Sequence, residues 1–326
     1  MLKILKKILP WVFAVLMLVY LFYKIPPQKV LNALSHVNLP FFLLYSFVYF
    51  LLVMLIDCFS LSKVLSQFCV KISFREIVPP RAVSYLLSLV NYNAGQAGLA
   101  YFLKKTKNAS FFSAMGSIFF IMVIDLCWVV LWAFVGTFFI QLRFGNWDVS
   151  HWVRQVAIVV FGGMLLNVAF WRGWFGIFFP WKVKMRWVDW IRGRHLFQTF
   201  HHAQVIDYIK IALYRLPLHV VIIISFYFGV SVFGATLDFV TILGTVPVVL
   251  LIGTIPLTPG GLGTVQAATI ELLKDHIGGP VLSTGVSPSE ILFAMSLSWM
   301  FANYAYKALC GLIFLNKVDR EMFREE

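Results

Sequence analysis

The chain has 326 residues, of which 60% are hydrophobic, 17% aromatic and only 13% charged. With a mean hydropathy of +0.85, that composition excludes a soluble domain and points to an integral membrane protein. The formal charge is +13, from 27 basic and 14 acidic residues. The basic residues cluster beside apolar runs, where they set topology and meet anionic headgroups, so membrane rather than nucleic acid is the expected partner. Cys58, Cys69, Cys127 and Cys310 are scattered, and no disulfide framework, metal site or cofactor is expected.

The first apolar run, Ile8 to Tyr23, follows Lys3, Lys6 and Lys7 and lacks a small-residue cleavage site, so it reads as a retained signal-anchor helix. Leu39 to Leu61 is a second span, with Asp57 near its end either interfacial or buried among helices. Gln67 to Arg81 is amphipathic and basic, punctuated by Pro79 and Pro80. Ala82 to Val90 is apolar, and Asn91 to Gly98 is a polar break carrying Gly95 and Gly98. Neither arm around that break approaches the roughly 20 apolar residues that a spanning helix needs. Val78 to Leu103 therefore reads as a re-entrant hairpin, with Gly95 and Gly98 as hinges.

Phe111 to Ile140 is a long span holding Asp125, and Arg143 to Arg154 is an interfacial loop with Trp147 and Trp152. Val156 to Trp171 crosses back. The stretch from Trp171 to His202 mixes Trp, Phe, Lys and Arg and reads as a surface-lying basic segment. His201-His202 within it reads as a solvated pair. Ile209 to Gly234 is the next span, with Lys210 and Arg215 at its basic end. The apolar run Val240 to Ile255 then meets Ile255-Pro-Leu-Thr-Pro-Gly-Gly-Leu-Gly-Thr-Val-Gln266, and Ala267 to Leu273 is apolar again. Pro256 and Pro259 remove backbone donors, and Gly260, Gly261 and Gly263 admit angles that other residues avoid. At membrane depth such a break must be packed in protein or line a wet cavity, and a Gly/Pro-broken helix there marks a transporter's site. Lys274 to Glu290 is a polar loop, and Ile291 to Leu315 is the last span.

Together these runs predict an all-α polytopic membrane protein, a single membrane domain over residues 1–326, with about six spans and two re-entrant helical hairpins. With both termini cytoplasmic, the basic residues fall overwhelmingly inside. Each half, residues 1–145 and 150–326, reads as about three spanning helices plus a hairpin. An odd number of crossings inverts one repeat against the other. The tips, Asn91 to Gly98 and Thr258 to Gly263, are then expected to meet near the midplane, and helix N-termini there favour an anion.

Pro256-x-x-Pro-Gly-Gly-Leu-Gly263 followed by Gln266 resembles the proline/glycine signature of the flippase-like membrane domain of lysylphosphatidylglycerol synthases. That domain also occurs in archaeal dolichol-phosphate glycosyltransferase relatives and in bacterial inner-membrane proteins. The resemblance covers nearly the whole chain. It implies translocation, across a bacterial inner membrane, of an anionic phospholipid or polyprenyl-phosphate-linked lipid with an anionic or glycosylated headgroup. The family usually has Glu where this chain has Gln266, and its first-half signature carries Pro-Gly and a downstream Arg that Asn91 to Tyr101 lacks. Relatives with transferase activity carry it in an extra domain, so no enzymatic activity is expected. The alternative reading is a membrane subunit or accessory factor for a separate lipid-modifying transferase. A lipid-modifying partner enzyme and a homo-oligomer both stay open.

The candidate substrate-binding residues each have two readings. Asn91, Asn93 and Gln96 either bind headgroup oxygens or satisfy the hairpin's own backbone. Arg81 holds a phosphate or anchors topology. Asp125 is functional or pairs with a basic residue such as Arg81. Glu271 replaces the acid that Gln266 is not, or is interfacial. Arg215 snorkels or touches a headgroup. Trp299 and Asn303, four apart on one helical face, line a cavity or join aromatic packing. Thr258, Gly260, Gly261, Gly263 and Gln266 form the second tip, with Pro256 and Pro259 as its hinges.

Overall fold

A computed structural model describes residues 2–144, 147–174, 190, 193–255 and 257–323. The helices are α1 (Leu2–Lys24), α2 (Pro27–Ser35), α3 (Leu39–Phe68), α4 (Phe74–Val90), α5 (Tyr92–Lys107), α6 (Phe111–Gly136) and α7 (Val149–Arg172). They continue with α8 (Gln198–His202), α9 (Val205–Val232), α10 (Phe239–Thr254), α11 (Thr264–Leu273) and α12 (Pro288–Phe323). The short antiparallel ribbon of β1 (Arg143–Phe144) and β2 (Trp147–Asp148) occupies the loop before α7. Asp148 starts α7 by accepting the His151 N–H at 3.1 Å, as an N-cap does.

Helices α3, α6, α7 and α9 are long and apolar enough to cross a membrane, and α1 with α2 qualifies as a pair bent by 73°. The sixth expected span behaves differently. Ile291 to Leu315 lies in the 36-residue α12, which is long but not among the helices apolar enough to qualify. Glu290, Asn303, Lys307 and Asn316 along it dilute its hydropathy.

The chain forms two compact units: residues 1–52, 129–157 and 219–306 make the first, and 53–128, 158–218 and 307–326 the second. The first unit packs around Phe42, Phe233 and Phe293, with Phe22 edge-on to Phe293 at 5.1 Å and Phe42 edge-on to Phe233 at 5.8 Å. Here α6 and α10 approach through Gly136 and Gly244, where a Cβ on Gly136 would strike the Gly244 backbone. The second unit packs around Phe120, whose ring lies 5.0 Å from Phe200 and 4.7 Å from Tyr208. That placement revises the surface-lying reading of the basic segment at its far end. Phe200 and Thr199 are buried, and Thr199 shares a 2.9 Å hydrogen bond with Ser117. The centre of that segment, Lys182, Lys184, Arg186, Asp189 and Arg192, lies outside the described residues, as do Pro256 and Arg324.

The first hairpin belongs to the second unit and differs from expectation in two ways. Pro79 and Pro80 do not punctuate it; both lie inside α4, which a capping box starts upstream. The Glu76 N–H donates to Ser73 Oγ and the Ser73 N–H to Glu76 Oε2 at 2.7 Å, which fixes the helix start ahead of the prolines. The break also shrinks from Asn91–Gly98 to Asn91 alone, an extended residue between α4 and α5. Gly95 and Gly98 are therefore not the turn. They lie inside α5 where it crosses α4 closely: a Cβ on Gly95 would sit 2.5 Å from the Ser84 carbonyl oxygen, and one on Gly98 would strike Leu87. At the open end, Lys107 pairs with Glu76 at 2.5 Å.

Two predictions follow from this packing. Gly95→Val forces α4 and α5 apart and should cost on the order of 1–3 kcal/mol, read as a lower thermal midpoint in detergent; an unchanged midpoint would refute the close approach. The Lys107 ammonium, with the Ser73 contacts, holds the Glu76 carboxyl down to about 2 from its ordinary 4.5. A depressed carboxyl supports the fold above its unfolded value and loses that support as pH falls through the folded one. Protection of the amides at the start of α4, taken relative to their intrinsic exchange rates, should therefore fall as the pH drops from 4.5 to about 2, and Glu76→Gln should remove that loss.

Candidate functional site

The chemistry of the second unit centres on Asp57. It sits inside α3 because the helix continues to Phe68, beyond the Leu61 end expected from hydropathy. Its carboxylate joins two arginines. Arg81 of α4 donates from Nε to Asp57 Oδ2 at 2.6 Å, and Arg215 of α9 donates from Nη1 to Asp57 Oδ1 at 2.7 Å. Arg215 also forks onto Asp125 of α6, with Nε to Oδ1 at 2.8 Å and Nη2 to Oδ2 at 2.6 Å. Two parallel charge-assisted bonds of this kind are the strongest arrangement a guanidinium makes.

Neutral groups complete the cluster. Arg215 Nη1 donates to Ser60 Oγ at 2.8 Å, Arg81 Nη1 to Gln96 Oε1 at 3.0 Å, and the Tyr85 hydroxyl to Asp57 Oδ2 at 2.8 Å. The Arg81 and Arg215 side chains are only 9% and 5% exposed and that of Asp57 8%, whereas that of Asp125 is 26% exposed. The network is thus closed around Asp57 and open at Asp125. Tyr92, the first residue of α5, is exposed yet within electrostatic reach of all four charged residues, so the hairpin turn lies close to the buried charges.

These contacts resolve several readings left open by the sequence. Arg215 does not snorkel; α9 starts at Val205, which carries Arg215 inward to the two carboxylates. Asp125 does pair with a cation, but the partner is Arg215 rather than Arg81. Asn91 serves the hairpin: its Oδ1 accepts the Asn93 and Ala94 N–H groups at 2.8 and 3.2 Å. The Asn93 side chain is exposed. Of the two readings of Asp57, interfacial or buried among helices, the structure shows the second; it is not among the candidate binding residues, because a run ending at Leu61 puts it at an apparent border.

The second break belongs to the first unit and follows the sequence more closely. Gly260, Gly261 and Gly263 have φ of 62°, 74° and 83°, angles that only glycine adopts at little cost. Pro259 opens a single 3-10 turn, and Thr258 Oγ1 lies 3.1 Å from Thr264 Oγ1. Gln266 is buried and works as a cap: its Oε1 accepts the Gly263 N–H at 2.7 Å. A Cβ on Gly263 would sit 2.7 Å from Met17 Cβ, so α1 closes directly on the break. Glu271 is not at this break. It pairs with Lys274 at 2.7 Å at the far end of α11, both side chains about one-third exposed (37% and 36%). Trp299 sits 4.8 Å from the Tyr49 ring and 5.5 Å from Tyr45, an aromatic cluster, and Asn303 is half-buried on the same helix.

Apolar helices of spanning length around a buried, hydrogen-bonded set of charges define a polytopic α-helical membrane protein. The family described as lysylphosphatidylglycerol synthase TM region matches residues 7–308, and the chain belongs to that family. Membership connects it with membrane lipids. Neither a curated protein nor a solved structure matches the chain.

Removing one carboxylate should separate the closed part of the network from the open part. Asp57→Asn leaves two buried guanidiniums without their shared counter-charge and should cost about 3–5 kcal/mol. Asp125→Asn, at the more exposed carboxylate, should cost less. Thermal unfolding in detergent checks the ranking, and equal midpoints for the two variants would contradict it.

Proposed function

We propose that the protein is a lipid translocase that moves an anionic phospholipid or polyprenyl-phosphate-linked lipid between the leaflets of a bacterial inner membrane. The observation that carries this reading is the Asp57–Arg81–Arg215–Asp125 network, which joins α3, α6 and α9, all apolar enough to span, to Arg81 of the shorter α4. Charged side chains inside a membrane are costly and mark pathways for polar cargo. Family membership supports a lipid as that cargo.

In this reading α4–α5 and α10–α11 are re-entrant hairpins at matched places in two inverted repeats, with both termini cytoplasmic. The headgroup passes the polar turns while the hydrocarbon tail stays in lipid. Access alternates as one repeat rocks against the other. Serine, glutamine and tyrosine partners keep the arginines oriented, so an anionic headgroup meets donors already in place. The chain moves lipid and makes or breaks no covalent bond.

The test is leaflet exchange of fluorescent phospholipid or prenyl-phosphate probes in proteoliposomes. Wild type should accelerate exchange, and Gly260→Leu, which forces a branched side chain into a left-handed position against Tyr304, should abolish most of it while the protein stays folded. Exchange no faster than in empty liposomes, with every probe, would remove the translocase reading and favour an accessory subunit of a lipid-modifying transferase.

A further inference from the structure

The cysteines are scattered along the chain, but two of them join a methionine in the second unit. The Cys310 thiol of α12 donates to the Met54 thioether of α3 at 3.5 Å, across 256 positions of sequence. Cys58 follows Met54 by one helical turn on the same face of α3, and it lies within electrostatic reach of Cys310. The helices are close together here. Three residues before Cys310, Lys307 Nζ lies 5.9 Å from the centre of the Tyr85 ring, which the Arg81 guanidinium meets at 4.8 Å. One residue after it, a Cβ on Gly311 would lie 2.7 Å from Leu86 Cβ. Met54 and Cys58 are buried, at 5% and 0% exposure. Cys310 is half-buried and the least enclosed of the three.

This set of ligands has a definite preference. Thiolate and thioether sulfurs are soft and select Cu(I)-type ions, whereas harder divalent ions prefer oxygen. Zinc takes nitrogen, thiolate and carboxylate ligands, four to a structural site. Among the described residues no group of three His, Cys, Asp or Glu side chains could hold a metal. A thioether as the third ligand suits a soft monovalent ion and not zinc. Metal–sulfur bonds of about 2.3 Å put two sulfurs of a trigonal site about 4 Å apart, so the Cys310–Met54 pair has only to open slightly. The proton that the Cys310 thiol directs at Met54 is the one the metal replaces. Each thiolate that binds releases its proton to water, so a monovalent ion on the first thiolate is neutral, the charge state that costs least inside a protein.

We propose that Met54, Cys58 and Cys310 form a binding site for one soft monovalent metal ion, Cu(I) or Ag(I). The bound ion ties α3 to α12 through metal–sulfur bonds, where the metal-free protein has only the weak contact of a thiol donor with a thioether. Neither Cys69 nor Cys127 takes part. The site stands apart from the lipid reading and does not depend on it.

The test is metal retention by the reduced, purified protein in detergent, with Ag(I) as a redox-inert probe and Cu(I) under anaerobic reductant. Elemental analysis after gel filtration should find one metal per chain. Cys310→Ser and Cys58→Ser should each weaken retention at least tenfold, since even the outer partners of a metal site are worth about that much. Met54→Leu should weaken it as well, and Cys69→Ser and Cys127→Ser should leave it unchanged. X-ray absorption of bound Cu(I) should show sulfur neighbours only. No metal retained by the folded wild type, retention that follows Cys69 or Cys127, or retention undiminished in Met54→Leu would each overturn the three-sulfur site.

A labelling arm on the unaltered protein covers a serine variant that fails to fold. One equivalent of Ag(I) should protect Cys310 from a maleimide while Cys69 stays reactive, read by peptide mass spectrometry. Protection at Cys310 no greater than at Cys69 would overturn the proposal.

Discussion

A carboxylate buried between two guanidiniums is the constraint around which the second unit is built. Asp57 cannot be carried inside α3 as an isolated charge, because transfer of an unpaired ion out of water costs several kcal/mol even after relaxation. Arg81 and Arg215 remove that cost only if α4 and α9 present them at hydrogen-bonding distance. Arg215 then requires Asp125 from α6. Four helices are thereby fixed by one set of charges. The arrangement specifies register more than it adds stability, since a well-packed apolar replacement of the whole set would fold at least as well.

The two broken hairpins solve the same backbone problem by different chemistry. In the first, the turn is one extended residue, and the Asn91 side chain satisfies the N–H groups that a new helix leaves open. Its glycines are spent on close packing. In the second, three left-handed glycines make the turn, and Gln266 caps the helix that follows. A carboxamide oxygen thus accepts open N–H groups at both breaks, Asn91 as an N-cap and Gln266 in the place the acid holds in a capping box. For Gln266 this means that the side chain already has a structural task.

Whereas α3, α6 and α9 each carry a charged residue of the network and remain apolar enough to span, α12 does not. Its 36 residues give up hydropathy for polar positions along its length. The same trade appears in α3, where a single acid is tolerated because the flanking turns are strongly apolar.

Composition and hydropathy by themselves determined the class, the broad order of helices, the glycine-rich turn after α10 and the resemblance that the family match bears out. These are local properties: apolar run length follows from membrane thickness, and a Pro-Gly-Gly cluster leaves few backbone choices. The reach of α3 past Leu61 and the continuation of α4 through Pro79 and Pro80 were decided elsewhere, by a capping box and by packing in the second unit. So were the charge pairings of the buried network. Asp125 meets Arg215, not Arg81, because pairing depends on which helix faces come together, and residues 90 positions apart carry no trace of that in their local pattern. Lys307 is the extreme case: nothing near it in sequence distinguishes it, and only the tertiary structure sets it beside Tyr85 and Arg81.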